Sequence, residues 1–169
     1  MRQASFIFLL ILLLGCTNKT TPEKEKKNID SEVWVCGNQT SRPVEELERL
    51  VLEGNTDAYD ELYIAYMDIG EVRLLPYALL MANKYDYTNA YYDVYCCLAF
   101  LYWDNCVETE CFLDSLDIQT RTMALEYLKK AADKGETNAL RDLGWLYLEG
   151  KHVEKDSVLG NQLLKKSER

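Results

Sequence analysis

The chain has 169 residues with 28 acidic and 19 basic side chains, so its formal net charge at neutral pH is −9. A chain this acidic does not offer the basic face that nucleic acids require, and we expect no nucleic acid partner. The only histidine, His152, is far from the cysteines in the sequence. We therefore expect no zinc site, no other metal and no cofactor.

The first fifteen residues predict a cleaved export signal. Arg2 provides a short positive start, and an unbroken apolar run follows over residues 6–14. This run is shorter than the roughly 20 apolar residues that span a bilayer, and it fits the roughly 7–15 residues of a signal-peptide core. We assign residues 1–15 to a signal peptide.

The end of this segment resembles the lipobox of bacterial lipoproteins, with Leu13, Leu14 and Gly15 preceding Cys16. The resemblance implies cleavage before Cys16, acylation of its thiol and of the new amino terminus, and attachment to a membrane. Leu14 is larger than the residue the family usually has there. An ordinary secretory signal and an uncleaved anchor remain alternatives. Thr17 is compatible with sorting to an outer membrane.

A polar tether follows over residues 16–30, and it contains no large apolar side chain before Ile29. Such a segment cannot bury enough surface to fold, so we expect it to be flexible. Loss of residues 1–15 removes one basic group, Arg2, and leaves 18 basic and 28 acidic groups, a net charge of −10. Residues 31–169 are then a single folded domain outside the cytoplasm.

Cysteines after the lipidation site are odd in number, so at least one stays reduced or pairs outside the chain. They are Cys36, Cys96, Cys97, Cys106 and Cys111. Cys106 and Cys111 share a short polar segment, and we expect them to form a disulfide in an exported protein. In a reducing habitat all five would instead be thiols.

Three segments of the chain align without gaps, at residues 54–62, 86–94 and 135–143. Each contains a threonine followed two residues later by an alanine, and a leucine stands eleven residues before each alanine. The alanines are Ala58, Ala90 and Ala139, and the leucines are Leu47, Leu79 and Leu128. The pattern predicts a repeated unit of helix, short turn and helix, with an insertion at residues 103–120 between the second and third units.

The turn chemistry supports this unit. Gly54 and Gly135 suit the left-handed conformation that ends the first helix, and Asp86 takes that place in the middle unit. We expect each threonine to cap the second helix and each alanine to lie where the two helices are closest. The threonines are Thr56, Thr88 and Thr137. Helices are predicted over residues 43–53, 56–69, 72–85, 88–103, 121–134, 137–149 and 156–167.

Residues 122–166 resemble the Sel-one-like repeat, a relative of the tetratricopeptide repeat. The matching positions are Lys130, Ala131, Ala132, Gly135, Ala139, Leu143, Gly144, Tyr147, Gly150, Val153 and Asp156. His152 stands where the family has a second loop glycine, and Tyr63 and Tyr95 stand where it prefers glycine. The resemblance implies an all-α fold, a short α-solenoid of antiparallel helix pairs with about three repeats and a closing helix. It also implies a concave protein-binding face and no catalytic residues.

Tyrosines are unusually frequent, with 12 in the chain, and most lie between residues 59 and 102. Two helices cannot bury so many, so we expect several to face solvent and to bind a protein partner together with acidic residues of the insertion. The predicted partner-binding residues are Tyr59, Tyr63, Tyr66, Tyr91, Tyr92, Tyr95, Glu108 and Glu110. The alternative is that these tyrosines only pack in the core.

The features together predict a membrane-anchored adaptor or scaffold of the bacterial cell envelope rather than an enzyme. One specific form is an immunity-type protein that inhibits a secreted toxin. Two rivals remain: a hydrolase of envelope glycans that uses the carboxylates of the insertion, and a structural spacer without a specific partner. We expect His152 to lie on the surface, in a loop between repeats, without a catalytic role.

Overall fold

The computed structural model describes residues 40–67, 73–99 and 113–169, and within these ranges the protein is helical and contains no strand. The all-α prediction is confirmed. The helices, in chain order, are α1 (Val44–Leu52), α2 (Thr56–Met67), α3 (Leu75–Tyr85), α4 (Thr88–Ala99), α5 (Ile118–Asp133), α6 (Thr137–Glu149) and α7 (Ser157–Ser167). In the described part of the chain, no helix has the length and apolar character needed to cross a bilayer.

Consecutive helices pack in pairs: α1 with α2, α3 with α4, and α5 with α6. The pairs also contact one another, since α1 packs on α3 and α4 packs on α5, while α7 packs closely on α6. All of these helices belong to one compact unit, Val33–Arg169. The described residues therefore contain three successive helix pairs.

The turn within each unit has the predicted left-handed residue. Gly54, Asp86 and Gly135 have φ angles of 91°, 57° and 85°. Each of these residues ends a first helix, and the amide of the next residue bonds back to that helix, as Glu136 N–H does to the Ala131 carbonyl at 3.0 Å. This prediction is confirmed, and the aligned residues occupy equivalent positions in the backbone.

The predicted capping role of the threonines is wrong. Thr56, Thr88 and Thr137 are each the first residue of a helix, one position too late to accept from the free amides of the first turn. Where a cap is seen, the preceding residue provides it. Asn55 Oδ1 accepts from Ala58 N–H at 2.8 Å, and the Glu136 carboxylate accepts from the amide of the third-unit alanine.

The core lies between the two helices of each unit and between neighbouring units. The three aligned alanines, Ala58, Ala90 and Ala139, are fully buried. Gly144 on α6 and Gly160 on α7 also face each other, because a Cβ built on Gly160 would lie 2.8 Å from the Gly144 carbonyl oxygen. Gly144 and Gly160 therefore permit the close approach of α6 and α7.

The predicted insertion is too long at its carboxyl end. Leu113 and Leu116 are buried in the core, and α5 begins at Ile118 rather than at residue 121. Asp117, assigned to a solvated acidic loop, caps α5 by accepting from the amides of Gln119 and Thr120. The prediction failed here because the acidic residues around Leu113 and Leu116 made the segment look like an exposed loop. At α3 the helix begins at Leu75 rather than at residue 72.

Candidate partner-binding face

In each helix pair the second helix is α2, α4 or α6. The side chains two, three and six residues after its buried alanine lie on one side of that helix. We call this set the second-helix face. Its members are Asp60, Glu61 and Ile64 on α2, Tyr92, Asp93 and Cys96 on α4, and Arg141, Asp142 and Trp145 on α6. Residues at such spacings lie on one side of a helix because an α-helix has 3.6 residues per turn.

The third position after each alanine is acidic in every unit, and in two units it accepts a hydrogen bond from the preceding second helix. Tyr59 on α2 donates its hydroxyl hydrogen to Asp93 Oδ2 on α4 at 2.7 Å. Tyr59 is fully buried and Asp93 nearly so. Burial, and then the Asp93 charge, raise the pKa of the Tyr59 hydroxyl, so it stays a donor at any physiological pH.

The same relationship recurs one unit later. Tyr92 on α4 donates to Asp142 Oδ2 on α6 at 2.8 Å. Burial raises the pKa of the Asp142 carboxyl, and the hydrogen bond from Tyr92 opposes this shift. Burial also raises the pKa of Tyr92. A tyrosine of one unit therefore bonds to the equivalent carboxylate of the next unit.

The first unit has no preceding second helix among the described residues, and its equivalent carboxylate, Glu61, accepts from the segment before α1. Arg42 Nη2 donates to Glu61 Oε1 at 2.9 Å, and Ser41 Oγ donates to the same carboxylate at 3.1 Å. The Arg42 hydrogen bond is the main reason that the pKa of Glu61 is lowered. Residues 41 and 42 thus occupy the role that a tyrosine has in the later units.

The exposed part of the face is acidic and aromatic. The Tyr87 hydroxyl donates to Asp60 at 2.9 Å; burial and then this bond raise the pKa of Tyr87 to about 12. Partial burial raises the pKa of Asp60 despite the bond.

Trp145 is 52% exposed, which is unusual for so large an apolar side chain. Tryptophan is enriched at protein interfaces relative to the rest of the protein surface.

Most of the tyrosines predicted to bind a partner are in the core. Tyr59, Tyr66, Tyr91 and Tyr95 are buried, so the expectation that they face solvent is wrong; Tyr63 and Tyr92 are half-buried. Hydrogen bonds to carboxylates offset the cost of burying these hydroxyl groups. Tyr66 also donates to Glu48, and Tyr91 donates to Asp86. Of the predicted set, Tyr92 alone belongs to the second-helix face.

Sequence reasoning missed Trp145 as a surface residue and the aspartates as tyrosine partners. The alignment contained a usable signal, because Glu61, Asp93 and Asp142 occupy the same position in three units. An acidic residue repeated at a position that faces the preceding unit needs a donor, and tyrosine was the abundant candidate.

His152 is not the plain surface residue that we expected. Its side chain is only 12% exposed, and Nε2 lies 3.0 Å from Asp114 Oδ1. Nδ1 lies 3.3 Å from an Arg121 nitrogen. Both ring nitrogens therefore have a side-chain partner. His152 has a φ angle of 57°, in the left-handed region that glycine adopts most readily.

The other predicted site residues lie outside the described residues. These are Cys16, Cys106, Cys111, Glu108 and Glu110, together with the signal peptide and the tether. Within the ranges that are described, no group of three or more histidine, cysteine, aspartate or glutamate side chains is arranged to hold a metal ion.

Comparison with known proteins gives no relative. The chain matches no protein-family model, no curated protein and no solved structure.

Proposed function

We propose that this protein is a lipid-anchored helical-repeat protein of the bacterial envelope that binds another protein through its second-helix face. The observation that carries the proposal is the repeated bond between successive second helices, Tyr59 to Asp93 and Tyr92 to Asp142. In this reading the protein is a scaffold or adaptor and not an enzyme. If its partner is a secreted toxin, the same contact makes it an immunity-type inhibitor.

The repeated bond supports a short solenoid of about three repeats. Both bonds end on the carboxylate three residues after the buried alanine, so successive units are joined at the same acceptor position, and a similar displacement repeated from unit to unit produces a stacked array. The Sel-one-like resemblance of residues 122–166 agrees with this arrangement. The outer side of α7 is mostly polar, with Asn161, Gln162, Lys165 and Lys166 exposed in addition to Val158, as suits a helix that closes a stack.

The chemistry of the second-helix face supports protein binding. It combines an exposed tryptophan, a half-exposed tyrosine and three acidic side chains that are at least partly exposed, and the chain as a whole is strongly acidic. Tryptophan and tyrosine contribute most of the energy at many interfaces, while surface charge steers the partner and sets specificity. We therefore expect a partner with a basic surface that surrounds an apolar pocket.

The membrane attachment in this proposal comes from the lipobox-like residues before Cys16. Two or more acyl chains on one residue would hold the protein stably, since each buried CH₂ contributes about 0.8 kcal/mol. The tether of residues 16–30 would span roughly 20 Å as a flexible coil, enough to lift the domain off the lipid surface.

The experiment is purification of the full chain from membranes of its own cells, beside two variants. Cys16→Ala should release the protein from the membrane fraction, and mass spectrometry should find the acylated Cys16 only in the parent chain. Trp145→Ala should stay in the membrane but lose the co-purified partner. Val158→Ala removes an apolar side chain of α7 that is even more exposed than Trp145, and it is the matched control. Retention of the same partner by the Trp145→Ala chain would contradict the proposed face.

A further inference from the structure

We propose that Arg141 and Trp145 on α6 form a docking site for a helix of the partner, which lies beside α6 and is joined to it as each second helix is joined to the one before it. The inference rests on the proposed function, because it names the part of the partner that meets this end of the second-helix face. The docked helix is expected to have a small residue, alanine or glycine, and a carboxylate three residues later.

The bonds between successive second helices are the template for this site. Tyr59 on α2 donates to Asp93 on α4 at 2.7 Å, and Tyr92 on α4 donates to Asp142 on α6 at 2.8 Å. Each donor stands one or two residues after the buried alanine of its own helix, and each acceptor stands three residues after the buried alanine of the next. The donor edge of a second helix therefore binds a helix that has a small residue followed three positions later by a carboxylate.

The same edge of α6 is exposed. Arg141 has the position on α6 that Tyr92 has on α4, and its side chain is 51% exposed. Trp145 lies about one turn further along α6 and is 52% exposed, whereas the residues at its position on α2 and α4, Ile64 and Cys96, are half-buried. Arginine and tryptophan are among the residue types most enriched at the energetic centres of interfaces.

The contact between α6 and α7 places this edge beside a second helix surface. A Cβ built on Gly144 would lie 3.0 Å from the Leu164 side chain, and one built on Gly160 would lie 2.9 Å from the Leu148 side chain. Because an α-helix turns by about 100° per residue, Arg141 lies only about 20° from Leu148 around the axis of α6. Arg141 thus emerges next to the line where α6 meets α7, and a helix bound there can contact both.

The guanidinium group of Arg141 can donate to a carboxylate of the docked helix. Within the described residues its side-chain acceptor is Asp142, and the distance from Nε to Oδ1 is 3.4 Å, which is long for a hydrogen bond. Asp142 also accepts from Tyr92. At the first unit an arginine already serves as the donor, because Arg42 donates to Glu61 from Nη2 at 2.9 Å and from Nε at 3.3 Å. Glu61 is the carboxylate three residues after the buried alanine of α2, so the planar fork of arginine fits this acceptor position.

The charge of the second-helix face differs between its two ends. Arg141 is the only cation among the members of this face, whereas Asp60 on α2 is an exposed acid. Charge complementarity therefore orients the partner, with its basic surface toward Asp60 and the carboxylate of the docked helix toward Arg141.

The test is crosslinking of the full chain in its own cells from a photoreactive amino acid at position 145, followed by mass spectrometry of the crosslinked peptide. We expect this peptide to come from a helix of another protein that has alanine or glycine and, three residues later, aspartate or glutamate. A crosslink to a loop or strand of a partner would overturn the inference and leave the proposed function intact. A crosslink to a second copy of this chain would overturn the inference in favour of self-assembly, and no crosslink at all would overturn the inference and the proposed function together.

A charge reversal tests the role of Arg141 in the purified complex. Arg141→Glu should lower the affinity for the identified partner about tenfold or more, as expected for the loss of a charge-assisted hydrogen bond. Changing the carboxylate of the partner helix to arginine should restore most of that affinity, which would also show that the Arg141→Glu chain is folded. Arg49→Glu is the matched control, because it makes the same charge change at an arginine of α1 that is 60% exposed, and it should change the affinity less than about twofold. Equal effects of the two reversals, or no rescue by the partner variant, would overturn the inference.

Discussion

Tyr59 and Asp93 are 34 residues apart in the sequence, yet the tyrosine hydroxyl donates to the aspartate at 2.7 Å inside the core. This bond joins the second helix of the first unit to that of the second. Tyr92 and Asp142, which are 50 residues apart, repeat it at the next boundary. The tyrosines thus hold the repeat units together, and their hydroxyls are largely used within the protein.

Tyr59→Phe should lower the free energy of unfolding by about 1–3 kcal/mol, because it removes a donor from a carboxylate that is almost fully buried. Tyr87→Phe is the matched control. It deletes the same atom from a pair in which Asp60 is exposed, and it should cost less than about 1 kcal/mol. Urea denaturation measures both variants. Equal losses would mean that the buried bond has no special role.

Asp142→Asn should leave the free energy of unfolding unchanged or raise it slightly at neutral pH. The amide oxygen still accepts from Tyr92, and the variant removes a charge that burial disfavours, as the raised pKa of Asp142 indicates. Asp142→Ala, which leaves the Tyr92 hydroxyl without this acceptor, should destabilise the protein by about 1–3 kcal/mol. Thermal unfolding of both variants tests this. A loss for the asparagine variant as large as for alanine would be evidence for a necessary charge.

Stability should fall at alkaline pH. Burial, and then hydrogen bonds to carboxylates, raise the pKa values of Tyr87 and Tyr91 to about 12 in the folded chain. In the unfolded chain tyrosine ionises near its ordinary value of about 10. The protonated tyrosines therefore contribute stability that is complete below pH 10 and is lost as the pH rises from about 10 to about 12.

Urea denaturation at pH 9 and pH 11 measures this decline, and Tyr91→Phe should make it shallower. An identical decline in the phenylalanine variant would show that Tyr91 ionises normally in the folded protein.

Gly160→Ala should destabilise the protein by about 1–3 kcal/mol, because the added Cβ would meet backbone and force α7 away from α6. That Cβ would lie 2.8 Å from the Gly144 carbonyl oxygen and 2.9 Å from the Leu148 side chain. Gln162→Ala, at an exposed position of the same helix, is the control and should have little effect. If the two variants unfold alike in urea, the close contact of α6 and α7 is not present in solution.

The helices and their turns could be predicted from the sequence because the signals are local. Gly54, Asp86 and Gly135 mark the turns, and the leucines and alanines at fixed offsets mark the buried sides of the helices. The bounds were least accurate at the starts of α3 and α5, and before α5 the core residues Leu113 and Leu116 lie among acidic residues.

Which tyrosine side chains are buried and which are exposed could not be predicted in the same way. Whether Tyr59 is buried or exposed depends on a carboxylate that only the folded chain brings near. Composition gave the number of hydroxyls but not their acceptors. The contacts of His152 were missed for the same reason, since Asp114 and Arg121 come from other parts of the chain.

The central claim is that the second-helix face binds a protein at the membrane. The direct measurement is photo-crosslinking in living cells, with a photoreactive amino acid placed at position 145 on α6 and, in a separate chain, at position 162 on α7. We predict one crosslinked protein of defined mass from position 145, its loss when Asp60 and Asp142 are both changed to Lys, and none from position 162. Equal crosslinking from both positions, or none from position 145 in membranes that contain the protein, would contradict the account.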